Sequence, residues 1–265
     1  MKNKRRHKCV LCQEYFKNNK MSEEHYPAKN TGNIDIVKLD ATKMYEDMTN
    51  DKLFYDIKAR MSEGKSFREA SDEYFDEELA TSLYPKGRTS RTLCRKCNTF
   101  LGRFDEAYKR FFDKDGAEQI IKGFQQKTKL EIIKSIYAKF LSVPECKGYD
   151  FDFRQFIIDG ESYSGDWRVY CTKRDSSTDL HNLADIETGM LDWDQDGKKI
   201  IFELSDEKFI FHLANFVIPE TLCGLNLFDI MNKNYKMRSG KDLIEGGIHP
   251  MILISKLLSE EDINY

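Results

Sequence analysis

Two Cys-x-x-Cys pairs constrain this chain more than any other feature: Cys9 with Cys12, and Cys94 with Cys97, separated by the whole of 13–93. Each pair presents two thiolates from a tight turn, and two such turns supply the four soft ligands of a tetrahedral zinc site. Any fold that closes that site must return the chain from residue 94 to the side of residue 12. A redox pair would instead sit beside a thioredoxin-like strand–helix–strand pattern, which neither pair has. The N-terminus is basic, but the stretch after it, Cys9 to Glu14, contains no apolar run of the kind an export signal needs. The chain is therefore expected in the cytoplasm, where thiols stay reduced. Seven cysteines, an odd number, do not suit a disulfide framework, and Cys146, Cys171 and Cys223 read as ordinary small residues.

So wide a separation exceeds the usual zinc-ribbon spacing, and an insertion is expected between the pairs. Residues 41–82 fit that description. Met44, Met48, Leu53, Phe54 and Ile57, then Phe67, Ala70, Tyr74 and Phe75, recur at helical spacing in an acidic context. After Cys97, Leu101, Phe104, Tyr108 and Phe111 share one helix face, and a long helix is predicted over 117–141, ended by Pro144. Past residue 150 the texture changes. Trp167 to Cys171 reads as a strand, Lys199 to Leu204 and Phe209 to Leu213 as a hairpin closed by Ser205-Asp206-Glu207, and Pro250 to Leu258 as a final helix. The expected class is α+β, with one domain over 1–145 and a mixed α+β domain of unassigned role over 146–265. Aromatic residues at 12% argue against a disordered chain. No apolar run approaches the roughly 20 residues that span a bilayer, so no membrane partner is expected.

The formal net charge of -3 conceals an asymmetry. Residues 1–40 and 81–110 together hold 17 Lys and Arg against 7 Asp and Glu, whereas residues 41–80 hold 6 against 11. The basic excess marks a surface suited to a polyanion. Lys86, Arg88, Arg91, Arg95, Lys96 and Arg103 surround the second cysteine pair and are the candidate phosphate contacts.

Between the pairs lies Glu24-His25-Tyr26-Pro27, and Asn98 follows the second pair directly. The text CVLC (9–12), EEHYPAK (23–29) and LCRKCNTFLG (93–102) resembles the HNH endonuclease family, whose fold is a zinc-stapled ββα-metal core. The resemblance extends over 1–110 at most, interrupted by the insertion, and leaves 150–265 aside. It implies DNA as the substrate, with RNA an open alternative, and His25 as the general base. It also implies Glu24 and Asn98 as ligands of one Mg²⁺ or another divalent cation, and Cys9, Cys12, Cys94 and Cys97 as the structural zinc ligands. An imidazole is suited to the proton transfer, since its ordinary pKa is about 6.5. Oxygen donors suit a hard cation that keeps several waters.

The chain also departs from that pattern. Where many members carry a second His on the helix, this chain has Gly102; Asp105 is a further candidate oxygen donor, and the insertion obscures the family's middle Asn. Asp192 to Gly197 with Glu203 matches an EF-hand expression, but strand-like flanks favour a hairpin turn there. His181, His212 and His249 show no evident partner. Two rival readings remain: a non-catalytic zinc module that binds nucleic acid, and an effector activated by a protein partner docked on the C-terminal domain.

Overall fold

The computed structural model describes residues 6–178 and 188–261; His181 and the basic residues Lys2, Lys4 and Arg5 lie outside them. In chain order the elements are β1 (Arg6–Lys8), β2 (Tyr15–Lys17), β3 (Glu24–His25), β4 (Ile36–Leu39), α1 (Ala41–Thr49), α2 (Lys52–Ser62), α3 (Phe67–Tyr74), β5 (Ala80–Tyr84) and β6 (Thr89–Ser90). Then come α4 (Arg95–Asp113), α5 (Glu118–Lys122), α6 (Gln126–Phe140), α7 (Arg154–Ile158) and β7 (Arg168–Lys173). The chain ends with β8 (Thr188–Asp192), β9 (Ile200–Ser205), β10 (Phe209–Ala214), α8 (Glu220–Cys223), β11 (Leu225–Asn226) and α9 (Ile248–Glu261). Among the described residues the class is mixed α+β, and no helix is long and apolar enough to cross a membrane.

Two compact units divide the chain, and the division does not fall at residue 145. Residues 34–86 form one unit, while residues up to 33 and from 87 onward form the other. Residue 145 is no boundary because one continuous core runs across it: Leu101, Phe104 and Phe111 belong to the same buried cluster as Ile136, Phe153, Phe202 and Phe209. The smaller unit is a β4–β5 antiparallel pair carrying α1, α2 and α3, packed around Ile57, Ala70, Tyr74 and Leu79. Ser66 and Glu69 form a capping box at the start of α3, satisfying two backbone N–H groups reciprocally. Met48, Phe54 and Phe67, which helical spacing assigned to a core face, are exposed.

In the larger unit α4 is amphipathic for a plain reason. Leu101, Phe104, Tyr108 and Phe111 recur every three or four residues and are all buried. The stretch predicted as one helix over 117–141 is two, because Gly123 ends α5 and Gln125 takes an extended backbone before α6 starts. α6 packs along α4 and is buried on nearly every side, which obliges Lys129, Lys134 and Lys139 to find partners inside.

Strands β11-β7-β10-β9-β8, in that order, form an antiparallel sheet covered on both faces. Alternation along the strands separates the two faces. Phe202, Leu204, Phe209 and Phe211 point into the aromatic core, where Phe111 and Phe209 lie 4.8 Å apart between ring centroids. Ile201 and Ala214 face Ile248 and Ile252 of α9. The Asp192–Gly197 segment is part of the β8–β9 hairpin turn. One carboxylate oxygen of Asp194 accepts from the backbone N–H groups of Asp196, Lys198 and Lys199. Glu203 is turned into the interior, away from any such loop.

The β9–β10 turn is anchored by Asp206, whose Oδ1 accepts from the backbone N–H groups of Lys208 and Phe209 while its Oδ2 accepts from the Tyr108 hydroxyl. Complete burial pushes this carboxyl up to about 6, against the lowering effect of those donors. A carboxyl raised in the folded state binds its proton more tightly there than in the unfolded chain. Its contribution is therefore fully present below about pH 4 and lost as the pH rises through 6. Between pH 4 and 7 the wild type is expected to lose up to about 3 kcal/mol relative to Asp206→Asn. Urea denaturation of both proteins at the two pH values measures the difference, and a difference that does not change with pH contradicts the assignment.

Candidate metal centre and adjoining histidine site

The four cysteines of the two pairs converge. Their sulfur atoms all lie within 4.8 Å of one another, and among the described residues no other group of three or more His, Cys, Asp or Glu ligand atoms is so close. Cys9 and Cys94 are fully buried, Cys97 nearly so. The Cys94 N–H donates to the Cys9 sulfur at 3.3 Å, and the Cys97 N–H donates to the Cys94 sulfur at 3.5 Å. Burial pushes the Cys9 thiol up, but backbone N–H donors outweigh that and hold it below its usual range. Four converging sulfurs, those of Cys9 and Cys94 accepting backbone N–H bonds, fit a metal ion such as zinc.

The cluster ties two pieces of chain together, and a hydrogen bond from α4 adds a third. Cys94 also serves as the N-cap of α4, so Asn98 is not the cap; it sits one turn inside the helix. The Asn98 side-chain N–H donates to Ser22 Oγ at 2.8 Å, fastening the helix to the segment just ahead of β3. Its Oδ1 accepts no hydrogen bond among the described residues. β3 pairs with β6 in antiparallel register, Glu24 opposite Ser90 and His25 opposite Thr89, and α4 begins shortly after that pair. His25 is half-buried on this short strand, and the Tyr26–Pro27 peptide that follows is cis.

So short a strand pair needs outside support, and Asn33 supplies it. This side chain is fully buried, donates to the carbonyls of Pro27 (2.7 Å) and Arg88 (3.0 Å), and accepts from the Arg88 N–H at 2.6 Å. It therefore binds the turn after His25 to the strand that pairs with it. Gly87 makes this possible: its φ is +78°, and a Cβ there would stand 2.1 Å from the Asn33 carbonyl oxygen. Sequence reasoning missed Asn33 because the insertion separates it from its partner by 55 residues.

Glu24 and Asn98 were expected to share one cation, but they take different partners here. Glu24 is buried and its carboxylate is paired with the Lys139 ammonium of α6. Asp105 of α4 binds the same ammonium at 2.9 Å and accepts from Ser135 Oγ at 2.8 Å. Burial raises the Glu24 carboxyl above its usual range, opposed by Lys139. Burial would lower Lys139, yet the Asp105 and Glu24 carboxylates outweigh it and its pKa is raised. Two carboxylates, the donor type a hard cation takes, thus meet on one ammonium, whereas Asn98 lies about two turns from Asp105 along α4 and is bonded to Ser22. Gly102, where the resemblance would have placed a second His, is exposed, and a Cβ there meets nothing within 4 Å.

No protein-family model, curated protein or solved structure matches this chain.

The basic residues divide into groups. Arg91 and Arg95 are exposed, take no ion pair or hydrogen bond among the described residues, and line an open hollow of about 360 Å³ with Asn18, Asn19, Met21, Ser22 and Glu23. Lys96 is exposed beside them on α4. The Arg103 guanidinium lies over the rings of Phe100 and Phe104, at 4.4 and 4.6 Å. Arg88 is half-buried, and Lys86 belongs to the smaller unit.

Two histidines without evident partners in the sequence have one in the structure. His212 Nε2 and His249 Nδ1 lie 2.9 and 2.8 Å from the two carboxylate oxygens of Glu203, all three residues being buried. Burial pushes Glu203 up, but the charge of His249 and the hydrogen bonds from both rings hold it down at about 2.

Purified protein is expected to carry one zinc per chain by elemental analysis, and Cys97→Ser to lose it; a content well below one contradicts the cluster's role. Asn33→Ala should cost roughly 2–4 kcal/mol in denaturant melts, because it strands buried backbone groups. A cost under about 0.5 kcal/mol would show that the turn does not depend on it.

Proposed function

We propose that this chain is a metal-dependent endonuclease that hydrolyses DNA phosphodiester bonds, with His25 as the general base. The observation that carries the reading is the placement of His25: on a two-strand pair that leads shortly into α4, whose N-cap and first turn carry Cys94 and Cys97 of the cluster. That arrangement agrees with the ββα-metal architecture implied by the resemblance. Catalytic groups need positioning to within about 0.5 Å, and a metal staple with a buried Asn crosslink supports such rigidity.

Each residue has a definite task in this scheme. His25, half-buried rather than sealed, takes a proton from the attacking water. Arg91, Arg95 and Lys96 hold backbone phosphates without reading sequence. Asn33 keeps the turn after His25 from shifting. Glu24 and Asn98 would hold a Mg²⁺ ion, which when bound supplies positive charge to the scissile phosphate and the leaving oxygen. The structural zinc takes no part in the chemistry.

A second reading, a zinc module that binds nucleic acid without cutting it, is favoured by one observation: Lys139 already neutralises Glu24. Plasmid cleavage separates the two. The nuclease reading expects Mg²⁺-dependent cleavage that falls about 10²- to 10⁴-fold in His25→Ala. It also expects Arg91→Ala and Arg95→Ala each to flatten the salt dependence of DNA binding by about one unit in log K against log salt. DNA binding with no cleavage by the zinc-loaded wild type would favour the second reading, and cleavage that survives His25→Ala would remove His25 from the mechanism.

A further inference from the structure

α6 brings a lysine to a place where two carboxylates from other elements meet. Lys139 is buried near the end of that helix, and its ammonium contacts the Glu24 carboxylate of β3 and, at 2.9 Å, the Asp105 carboxylate of α4. Ser135, one turn earlier on α6, donates to the other oxygen of Asp105 and aims it. Two carboxylates from different elements, the buried Glu24 beside His25 and the half-buried Asp105, thus converge on a single positive charge supplied by a third element. Buried lysines elsewhere on α6 are accommodated otherwise: Lys129 donates to the Lys122 carbonyl, and Lys134 lies over the rings of Phe104 and Phe156. Lys139 alone of these three is given to carboxylates.

We infer that Lys139 is a resident counter-cation of the histidine site, and that a divalent metal reaches Glu24 by displacing its ammonium. The inference rests on the proposed metal site at Glu24. Glu24, Asp105 and Lys139 together carry one net negative charge. A divalent ion added while the ammonium stayed in place would put two cations against the same carboxylate oxygens. Exchange of the ammonium for the metal leaves Glu24 and Asp105 neutralised. Lys139 would then hold the two carboxylates apart and ordered in the metal-depleted protein, and would set a threshold metal concentration below which the site stays closed. Glu24 is consequently a ligand under competition, and Lys139 is a positioning residue that never touches substrate.

Calorimetric titration of the zinc-loaded full chain with Mn²⁺ tests this. Mn²⁺ is the weakest binder of the first-row divalent series and leaves a thiolate zinc site undisturbed. Lys139→Met should bind Mn²⁺ at least about tenfold more tightly than wild type, because the competing charge is gone. Lys139→Arg, which keeps that charge, should bind no more tightly than wild type. A zinc-retaining Lys139→Met with unchanged or weaker Mn²⁺ affinity overturns the inference while leaving the metal site intact. Absence of Mn²⁺ binding in wild type and in both variants overturns the metal site itself and the inference with it. Because Lys139→Met leaves the buried Glu24 and the half-buried Asp105 without their counter-cation and could misfold, the wild type provides an independent measurement. The buried Nζ–H₃ resonance of Lys139, assigned by its loss in Lys139→Arg, should shift or vanish on addition of diamagnetic Mg²⁺. An Nζ signal unchanged at saturating Mg²⁺ rules out displacement.

Discussion

The larger unit is organised by the meeting of four thiols from two turns far apart in sequence, one ending at Cys12 and the other opening at Cys94. Closing so long a loop is less costly than it looks, since loop entropy grows only with the logarithm of length, about 0.6 kcal/mol per doubling. The expensive part is local, and it is met locally. The chain leaves for the smaller unit at Asn33 and returns at Gly87, two residues that touch, with Asn33 bonded to Arg88 on both sides of its amide. An excursion over 34–86 anchored in this way places little demand on the short strand from which His25 projects. The cysteine cluster fixes one end of that strand pair relative to α4, and the Asn33 amide fixes the turn at the other.

How much of this was legible in the sequence follows from the range of each signal. The cysteine pairs were legible because ligand spacing is a local pattern with a definite chemistry, and their convergence agrees with it. The face of α4 was legible because its buried residues repeat at helical spacing. β3 and β6 are too short to show any period, and only the motif around His25 drew attention to them. The break between α5 and α6 escaped notice because a single Gly in an otherwise helical pattern is a weak signal. The domain boundary near 145 was drawn where composition changes, but aromatic side chains from both halves fill one core, and burial does not respect texture.

Most of the missed polar residues share one property, meeting their partner across a long stretch of sequence; His212, paired with Glu203 across a hairpin, is the exception. Asn33 and Arg88 are 55 residues apart, Lys139 and Glu24 are 115 apart, and His249 and Glu203 are 46 apart. A buried charge cannot persist without compensation, so every buried Lys or Glu in a sequence implies a partner somewhere. The sequence does not disclose which residues are buried. α6 illustrates the difficulty, since Lys129, Lys134 and Lys139 would read as a solvated face and yet all three are inside. The signal that was present is the lack of any continuous polar stripe once α6 is recognised as buried all round, and recognising that required the fold.

The two buried glutamates show what separates a structural carboxylate from one with chemical potential. Glu203 sits in the middle of a sheet covered on both faces, and each of its oxygens is taken by an imidazole. The outer ring nitrogens, His212 Nδ1 and His249 Nε2, are buried with no hydrogen-bond partner among the described residues. The directional bonds of Glu203 select one seating of α9 on the sheet, which the isoleucines of the same contact, being non-directional, could not do alone. Glu24 is nearly as buried, but it adjoins a half-exposed histidine, follows a segment that lines an open hollow with two uncommitted arginines, and shares its lysine with a second carboxylate. Burial is common to both glutamates. What differs is whether the neutralising charge belongs to a sealed interior or to a junction of three elements beside solvent, and only at such a junction can the compensating cation be exchanged.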